Sequence, residues 1–405
     1  MKPIEASHRL FLVGFVLLVG VLLISPAGAQ VQGVTDKEIK IGLFGPLTGP
    51  IALYGKGAHM DEVIYKELIN ERGGVNGRKI TIIAEDTAGD VIKGVAAVKK
   101  LTYQDQVFML HGGRVSNVVL AAKKDIVESG IPFMCDGAAA YTITTPLTTN
   151  IYTGVFTSAI VAHSMVDFAM SKPGTKRVAI IKHTDEWGQS FYNPVVEYLK
   201  SKYGVTPASD VTIEAGVADA TPQVLELKRA NPDVIIAITY VIPTSTFLRD
   251  AHKYELTVPI VGNPAINVTE QYDRVGIPEA LKQFFGPHYF KYPLDHPVMD
   301  KWRVMLQKYY PKDSWDANPG LSIGGALAVV EGLKRAGRNL TRDSFLHALE
   351  GLGGFSPEDY PMATPIGYSP TSHVAITNVN FAVILNGKLR VLTQWKDYEN
   401  ALKEN

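Results

Sequence analysis

One cysteine, Cys135, stands in 405 residues. A lone thiol makes no internal disulfide, so stability has to come from burial, which a chain of this length can supply. An excess of charge of one sign is also missing, since 40 Lys and Arg face 40 Asp and Glu. No basic stripe suits nucleic acid and no polybasic run suits a membrane surface. Beyond the first thirty residues no stretch reaches the 18 consecutive apolar residues of a membrane-spanning helix. No low-complexity tract interrupts the chain, so any linkers are short. The usual enzyme constellations are absent: no G-x-G-x-x-G follows a strand, and there is no G-x-S-x-G elbow, no H-E-x-x-H and no His pair at i, i+4. Ser116 in "GGRVSN" lacks the flanking glycines of a nucleophile elbow, and Cys135 reads as a small core residue. The sequence therefore predicts no catalytic residue, no metal and no cofactor.

What is present begins with a leader. Lys2 and Arg9 flank a short polar start, Leu10 to Ile24 is an apolar run of 15 residues, and Ala27-Gly28-Ala29 is a small-residue cleavage site. This is the pattern of a secretory signal peptide over 1–29. Its removal leaves 376 residues with 38 basic and 39 acidic side chains, and no cysteine at the new terminus to carry a lipid. The expected product is a soluble periplasmic protein without a lipid anchor. Its length suggests two domains.

Strand-like runs alternate with helix-period segments. In the first half, strands are expected near Ile39–Phe44, Lys79–Ala84, Val107–His111 and Pro132–Cys135, with helices at Ala58–Arg72, Val91–Tyr103 and Ser116–Ser129. The first helix is expected to stop at Gly73-Gly74. A second run follows: strands at Arg177–Lys182, Val211–Glu214, Val234–Ile238 and Ile260–Val261, and helices at Ser158–Met170, Trp187–Tyr203, Ala220–Arg229 and Thr244–Lys253. Two successive βαβα runs predict an α/β fold of two doubly wound, mostly parallel sheets, with the change of lobe near 150–156. The tail adds helices at His296–Tyr310, Leu321–Gly337 and Arg342–Glu350. Asn386-Gly387 marks a hairpin between strands Ile376–Ile384 and Lys388–Gln394. Ligands in such sheets sit beyond the carboxyl ends of the strands, which singles out the loops 45–57, 112–117, 136–141, 183–188, 239–244 and 262–267.

The first of these loops imitates a phosphate-binding P-loop and fails it by count. The motif needs four residues between its glycines and a Ser or Thr after the lysine. Here Gly49 and Gly55 enclose five, and Gly57 follows Lys56. Glu85-Asp86 and Asp90 read as a strand-end turn and a helix cap rather than a Ca²⁺ site. The loops do carry aromatics, Tyr54, Trp187 and Tyr240, and helix starts at Gly57 and Ser116 whose N–H groups suit an anion.

Three stretches, "IKIGLFGPLTGPIALYGKG", "ELINERGGVNGRKITIIAEDTAGD" and "ESGIPFM", resemble the amino-terminal lobe of periplasmic solute-binding proteins for branched-chain amino acids and related solutes. These are the receptors of ATP-driven (ABC) importers, of the leucine-binding-protein-like kind. The resemblance is strong from about Ile39 to Met134, runs on through Gly262 and thins over the tail. It implies a clamshell of two lobes joined by three crossovers, of type I periplasmic-binding topology: 34–154 with about 290–352, and 155–289 with about 353–405. Residue by residue, it implies that Tyr54 covers the ligand and that the Ser116 hydroxyl and N–H take its carboxylate. It aligns Trp187 in "TDEWGQ" and Tyr240 with ligand-facing aromatics.

The sequence departs from the family at two places. In "CDGAAAY", Ala138 and Ala139 occupy the stretch where the family has a threonine as second carboxylate partner, the threonine itself aligning with Ala139. In "VGNPA", beside Asn263, the acidic partner of an amino group aligns with Pro264. An ammonium buried without its carboxylate costs several kcal/mol. Arg114 is a candidate to replace the lost carboxylate contact. The expected ligand is a carboxylate with an aromatic or bulky apolar body and no amino group. An apolar amino acid stays open, with Asp136 or Asn263 as its ammonium partner, as do amides or urea-like solutes. The implied partners are that small molecule and the membrane permease subunits of an ABC importer, with the binding protein a monomer. A sensor handing its closed state to a membrane receptor is the alternative role, and an exported hydrolase the third.

Overall fold

The computed structural model describes residues 31–263, 268–386, 388–393 and 396–402. The leader at 1–29, Pro264 and Gly387 lie outside the described residues, as do the side chains of 268–270, 317 and 402. Among the described residues no helix is long and apolar enough to cross a membrane.

Five parallel strands form the first sheet: β1 (Glu38–Gly45), β2 (Lys79–Asp86), β3 (Met109–Gly112), β4 (Phe133–Cys135) and β5 (Ile151–Thr153), in the order β2-β1-β3-β4-β5. β1 is nearly continuous in apolar residues because it lies inside the sheet with both faces covered. Helices α1 (Lys56–Leu68), α2 (Val91–Lys99) and α3 (Ser116–Ser129) provide the cover. α1 stops earlier than its sequence suggests. The Asn70 side chain exchanges two 2.7 Å hydrogen bonds with the backbone of Ile80. The chain there tightens into a 3₁₀ turn before Gly73 and Gly74, both at positive φ. The stretch 150–156, expected as a change of lobe, is first a strand: β5 is fully buried beside β4.

The second sheet holds eight strands. β6 (Val178–Lys182), β7 (Ser209–Thr212), β8 (Val234–Ile238), β9 (Ile260–Gly262) and β10 (Phe284–His288) are parallel. β11 (Asn378–Leu385) and β12 (Lys388–Val391) continue the edge antiparallel, and the short β13 (Lys396–Asp397) pairs with β11. The order is β12-β11-β10-β9-β8-β6-β7. Leu385 pairs with Lys388, the register of a two-residue hairpin. β10 and α8 (Val268–Val275) are additions to the expected elements. α5 (Glu186–Tyr203), α6 (Thr221–Ala230) and α7 (Val241–Lys253) cover this sheet.

The chain passes between the sheets three times: from β5 into α4 (Ser158–Met170), from β10 into α9 (Asp300–Tyr309), and from α11 (Arg342–Glu350) into β11. Nearly every residue of α4 is buried, and it lies in a core cluster that takes in side chains of both sheets. α9 and the long α10 (Ala317–Ala336) pack on α1, and α11 packs on α10. Gly325 makes the approach of α10 possible, since a Cβ there would lie 2.5 Å from Asp136 Oδ2. The strand ends of the two sheets meet across a cleft.

Candidate functional site

The cleft encloses a cavity of about 550 Å³, within the range of small-molecule sites. One wall comes from the first sheet's loops and α10: Ile51, Leu53, Tyr54, Arg114, Ser116, Ala139, Leu321 and Ser322 are on it. The other comes from loops of the second sheet, with His183, Asp185, Trp187, Glu214 and Tyr240. Val155, Phe156 and Phe191 extend the apolar lining.

The loop after β1 is built for this position without any phosphate chemistry. Asp86 holds it by accepting from the N–H groups of Leu47 at 2.9 Å and Thr48 at 3.2 Å, and from the Thr48 hydroxyl. Asp90 caps α2. Lys56 is not on the cavity wall and is paired with Asp316 at 3.2 Å, at the head of α10. Gly57 is required for a different reason: a Cβ there would lie 1.9 Å from Arg114 Nη1 and 2.3 Å from Ser322 Oγ.

Arg114 enters beneath Gly57 because the chain after β3 turns through three consecutive positive-φ residues, Gly112 (105°), Gly113 (84°) and Arg114 itself (52°). A non-glycine residue in that region is strained, and such strain concentrates at functional sites. The guanidinium is neither a solvated loop cation nor a free fork. It is buried, lines the cavity, and donates through Nη2 to Asp61 of α1, while Nε has no hydrogen-bond partner among the described residues. Ser116 opens α3, and its Oγ accepts from the N–H of Ala140 at 3.2 Å, which leaves the hydroxyl proton to donate. First-turn N–H groups of a helix have no partner within it.

The three predicted aromatics come together, as one cluster. Trp187 stacks on Tyr240 at 4.4 Å between ring centroids, and Tyr54 reaches Tyr240 from the opposite wall at 5.9 Å. Tyr240 Oη donates to Asp185 at 2.7 Å, and Asp185 also caps α5 through the N–H of Gly188. Burial and the Asp185 charge hold the Tyr240 phenol well above its ordinary pKa. Burial lowers His183, against the pull of Asp185 and Glu214, so its imidazole is neutral near pH 7.

Six of the eight expected residues line the cavity: Tyr54, Arg114, Ser116, Ala139, Trp187 and Tyr240. Ala138 and Asn263 are not on its wall. Ala138 turns into the core with Phe133 and Ile143. Asn263 is spent tying strand ends, its Oδ1 accepting from the N–H of Thr239 at 3.2 Å. Asp136 does not reach the cleft either; it is wholly buried behind Arg114. The residues that sequence reasoning passed over are Asp61, which holds Arg114 from behind, His111, which lies between Asp61 and Asp136, and Asp185 and Glu214 on the far wall. Asp61 was legible as a charge on the apolar face of α1, and His111 as a titratable group inside the run "VFMLHG".

Residues 38–388 match the family described as periplasmic binding protein. Leu/Ile/Val-binding protein homolog 3 of Brucella melitensis is 24% identical over 357 residues, 87% of this chain and 93% of that protein. A branched-chain amino acid ABC transporter structure from Thermus thermophilus, with bound valine, superposes with a TM-score of 0.79 at 16% identity, covering 92% of this chain and 99% of that one. A solute-binding protein of an ABC transporter from Rhodopseudomonas palustris, in complex with p-hydroxybenzoic acid, superposes with a TM-score of 0.75 at 18% identity, covering 90% and 98%. The family match begins with the first residue of β1 and reaches the first of β12, and the chain belongs to the periplasmic binding protein family.

Proposed function

We propose that this chain is the extracytoplasmic substrate-binding protein of an ABC importer, that it works as a monomer in the periplasm, and that it performs no chemistry on its ligand. The ligand is a small carboxylate with an aromatic or bulky apolar body. The observation that carries this reading is the polarity of the cavity: one cationic side chain, Arg114, stands with the hydroxyls of Ser116 and Ser322 on one wall of a lining rich in aromatic and aliphatic groups. The carboxylate would sit on Arg114, Ser116 and the α3 N-terminus, and the apolar body against Tyr54, Trp187 and Tyr240. The two lobes, 34–154 with about 290–352 and 155–289 with about 353–405, would close on it. Contacts made fully only in the closed state shift the open–closed population, and the closed form docks on the permease.

A second reading has its own observation. Asp185 and Glu214 stand on the wall opposite Arg114, where an ammonium would find a carboxylate although the family's usual acidic position holds Pro264. That arrangement suits an apolar amino acid. Thermal unfolding of the ligand-stripped mature chain against two panels separates the readings. One panel holds apolar α-amino acids, the other aromatic and branched acids lacking the amino group. Ligand at about a hundredfold over its Kd adds about 2.7 kcal/mol, a rise of roughly 5 °C or more for lobes of this size. A rise with acids alone supports the first reading; a rise with leucine or valine moves the assignment to the second. No rise with either panel sinks the carboxylate site.

A further inference from the structure

Behind the Arg114 guanidinium lies a set of ionisable groups with no exposure at all: Asp61, His111 and Asp136. One ligand-capable atom from each lies within 4.8 Å of the others. His111 Nε2 is 3.1 Å from Asp136 Oδ2 and 3.8 Å from Asp61 Oδ2, and its Nδ1 is 2.6 Å from Tyr65 Oη. A neutral imidazole with its proton on Nε2 satisfies both neighbours, accepting from Tyr65 and donating to Asp136. Asp61 Oδ1 and Asp136 Oδ1 have no hydrogen-bond partner among the described residues. Asp61 pairs directly with the guanidinium and Asp136 stands behind it on His111, so two wholly buried carboxylates face one cation, an arrangement in which both do not stay ionised.

We propose that Asp61 and Asp136 form a proton-binding site, and that it fills when an anionic ligand pairs with Arg114. The coupling rests on the reading of Arg114 as the partner of the ligand carboxylate. The count of charges carries it. With the cleft free of ligand, Arg114 balances one of the two carboxylates, so one proton makes the group neutral. A ligand carboxylate on Arg114 adds a second uncompensated negative charge within the same low-dielectric region, and neutrality then asks for a further proton. Uptake needs no redox partner: the proton comes from solvent and adds to a carboxylate oxygen or to His111. A divalent cation fits the group less well, because two carboxylates and a guanidinium leave one negative charge, which a doubly charged ion overshoots beside Arg114.

Among the described residues the surroundings offer no competing charge. α1 presents Asp61 and Tyr65; the strand ends present His111, Cys135 and Asp136; the segment 351–377 presents Tyr360 and Tyr368. Burial raises Tyr65, Cys135, Tyr360 and Tyr368, which keeps all four neutral. α10 contributes Gly325, and the segment after β5 contributes Gly154, both packed on the Asp136 carboxyl with no side chain of their own. Burial also moves the cluster itself, lifting Asp136 to about 7 and Asp61 to about 6 and lowering His111 to about 4.

The test uses the full mature chain and two measurements. The first needs no ligand: potentiometric titration of native protein and Asp136→Asn between pH 5 and 9. The native chain should release about one proton more than the variant, centred near neutrality; superimposable curves overturn the proton site. The second is calorimetry with 4-hydroxybenzoate at pH 7.5 in buffers of unlike ionisation enthalpy. Native protein should take up a large fraction of a proton per ligand, with affinity falling up to tenfold per pH unit from 7 to 9, and the double variant Asp61→Asn/Asp136→Asn, in which the ligand carboxylate simply neutralises Arg114, should be flat. Binding without uptake overturns the coupling and leaves the carboxylate reading standing. A 4-hydroxybenzoate affinity that Arg114→Gln does not change, or no binding of this acid at all, overturns the coupling through the Arg114 reading, while the ligand-free titration still decides the proton site.

Discussion

Replacing Gly57 by alanine sets two effects of known size against each other. In the interior of a helix, Ala is favoured over Gly by about 1 kcal/mol, an upper limit at Gly57, the second residue of α1, so propensity alone makes Gly57→Ala a stabilising change. The structure predicts the opposite. The new Cβ would lie 1.9 Å from Arg114 Nη1, 2.4 Å from its Cζ and 2.3 Å from Ser322 Oγ. The guanidinium has to retreat by more than 1 Å, and Asp61, fixed on the same helix one turn on, does not follow it. Separating a buried ion pair costs about 3–5 kcal/mol, so the net destabilisation should be about 2–4 kcal/mol after the propensity gain. A displaced Arg114 also loses its line to a ligand carboxylate, a charge-assisted hydrogen bond of about 1.5–3 kcal/mol, or roughly ten- to a hundredfold in affinity. Urea unfolding at pH 7 measures the first quantity and titration with the acid panel the second. A Gly57→Ala chain as stable as the native one, with unchanged affinity for acids, would refute the placement of Arg114 under α1.

Other perturbations follow from the same geometry. Lys56→Ala breaks a partly buried pair with Asp316 and should cost about 1–3 kcal/mol, while leaving carboxylate affinity unchanged; lost binding would restore an anion role to Lys56. Trp187→Ala and Tyr240→Ala should each weaken binding about tenfold or more through lost stacking and buried area, and unchanged calorimetric affinity in both would remove the aromatic cluster from the site. Stability should peak near pH 6.5. Asp61 and Asp136 are raised from 3.8 to about 6 and 7, so the stability they confer is complete below about pH 4 and is lost as pH rises through 6 to 7, at up to about 1.4 kcal/mol per unit for each. Burial lowers His111 and His288 from 6.5 to about 4, so their contribution is present above pH 6.5 and is lost as pH falls towards 4. Urea midpoints that climb steadily from pH 6 to 8 would contradict the carboxyl assignments.

Period and turn chemistry made most of the architecture legible before any coordinates. α3 and α4 begin and end where their apolar spacing says, and β8 is a plain buried run. The elements that escaped are those whose pattern is set by distant partners. β5 has three residues, and it is a strand because β4 lies beside it. β10 contains Pro287 and lies between a parallel neighbour and an antiparallel one. At the site, the single aromatics and Ser116 could be placed from loops at strand ends. The state of Arg114 could not, because its partner Asp61 is 53 residues away and its seat depends on a missing side chain at Gly57. Absence of a Cβ carries no periodic signal, and in the sequence Gly57 counted as a failed P-loop position and a helix start.

A pinned arginine also bears on selectivity. A solvated, unpaired guanidinium in a cleft attracts any small anion of its compartment. Pairing with Asp61 removes most of that indiscriminate attraction, since the Coulomb field outside a neutralised pair falls off steeply, while the directional donors of the guanidinium stay in place. On the reading proposed above, the head group then fixes orientation, and the apolar body supplies the discriminating free energy. An aromatic side chain buries about 150–250 Å², and at about 25 cal/mol per Å² that contributes about 4–6 kcal/mol, or three to four and a half decades in Kd. The consequence can be tested. Acetate or chloride at tens of millimolar should leave 4-hydroxybenzoate affinity within about twofold of its value in their absence, corrected for ionic strength. In Asp61→Asn, where Arg114 keeps its charge and loses its hydrogen-bonded carboxylate, the same anions should compete. Native protein inhibited by acetate as strongly as the variant would mean that Asp61 does not temper Arg114, and the selectivity would have to reside in the lining alone.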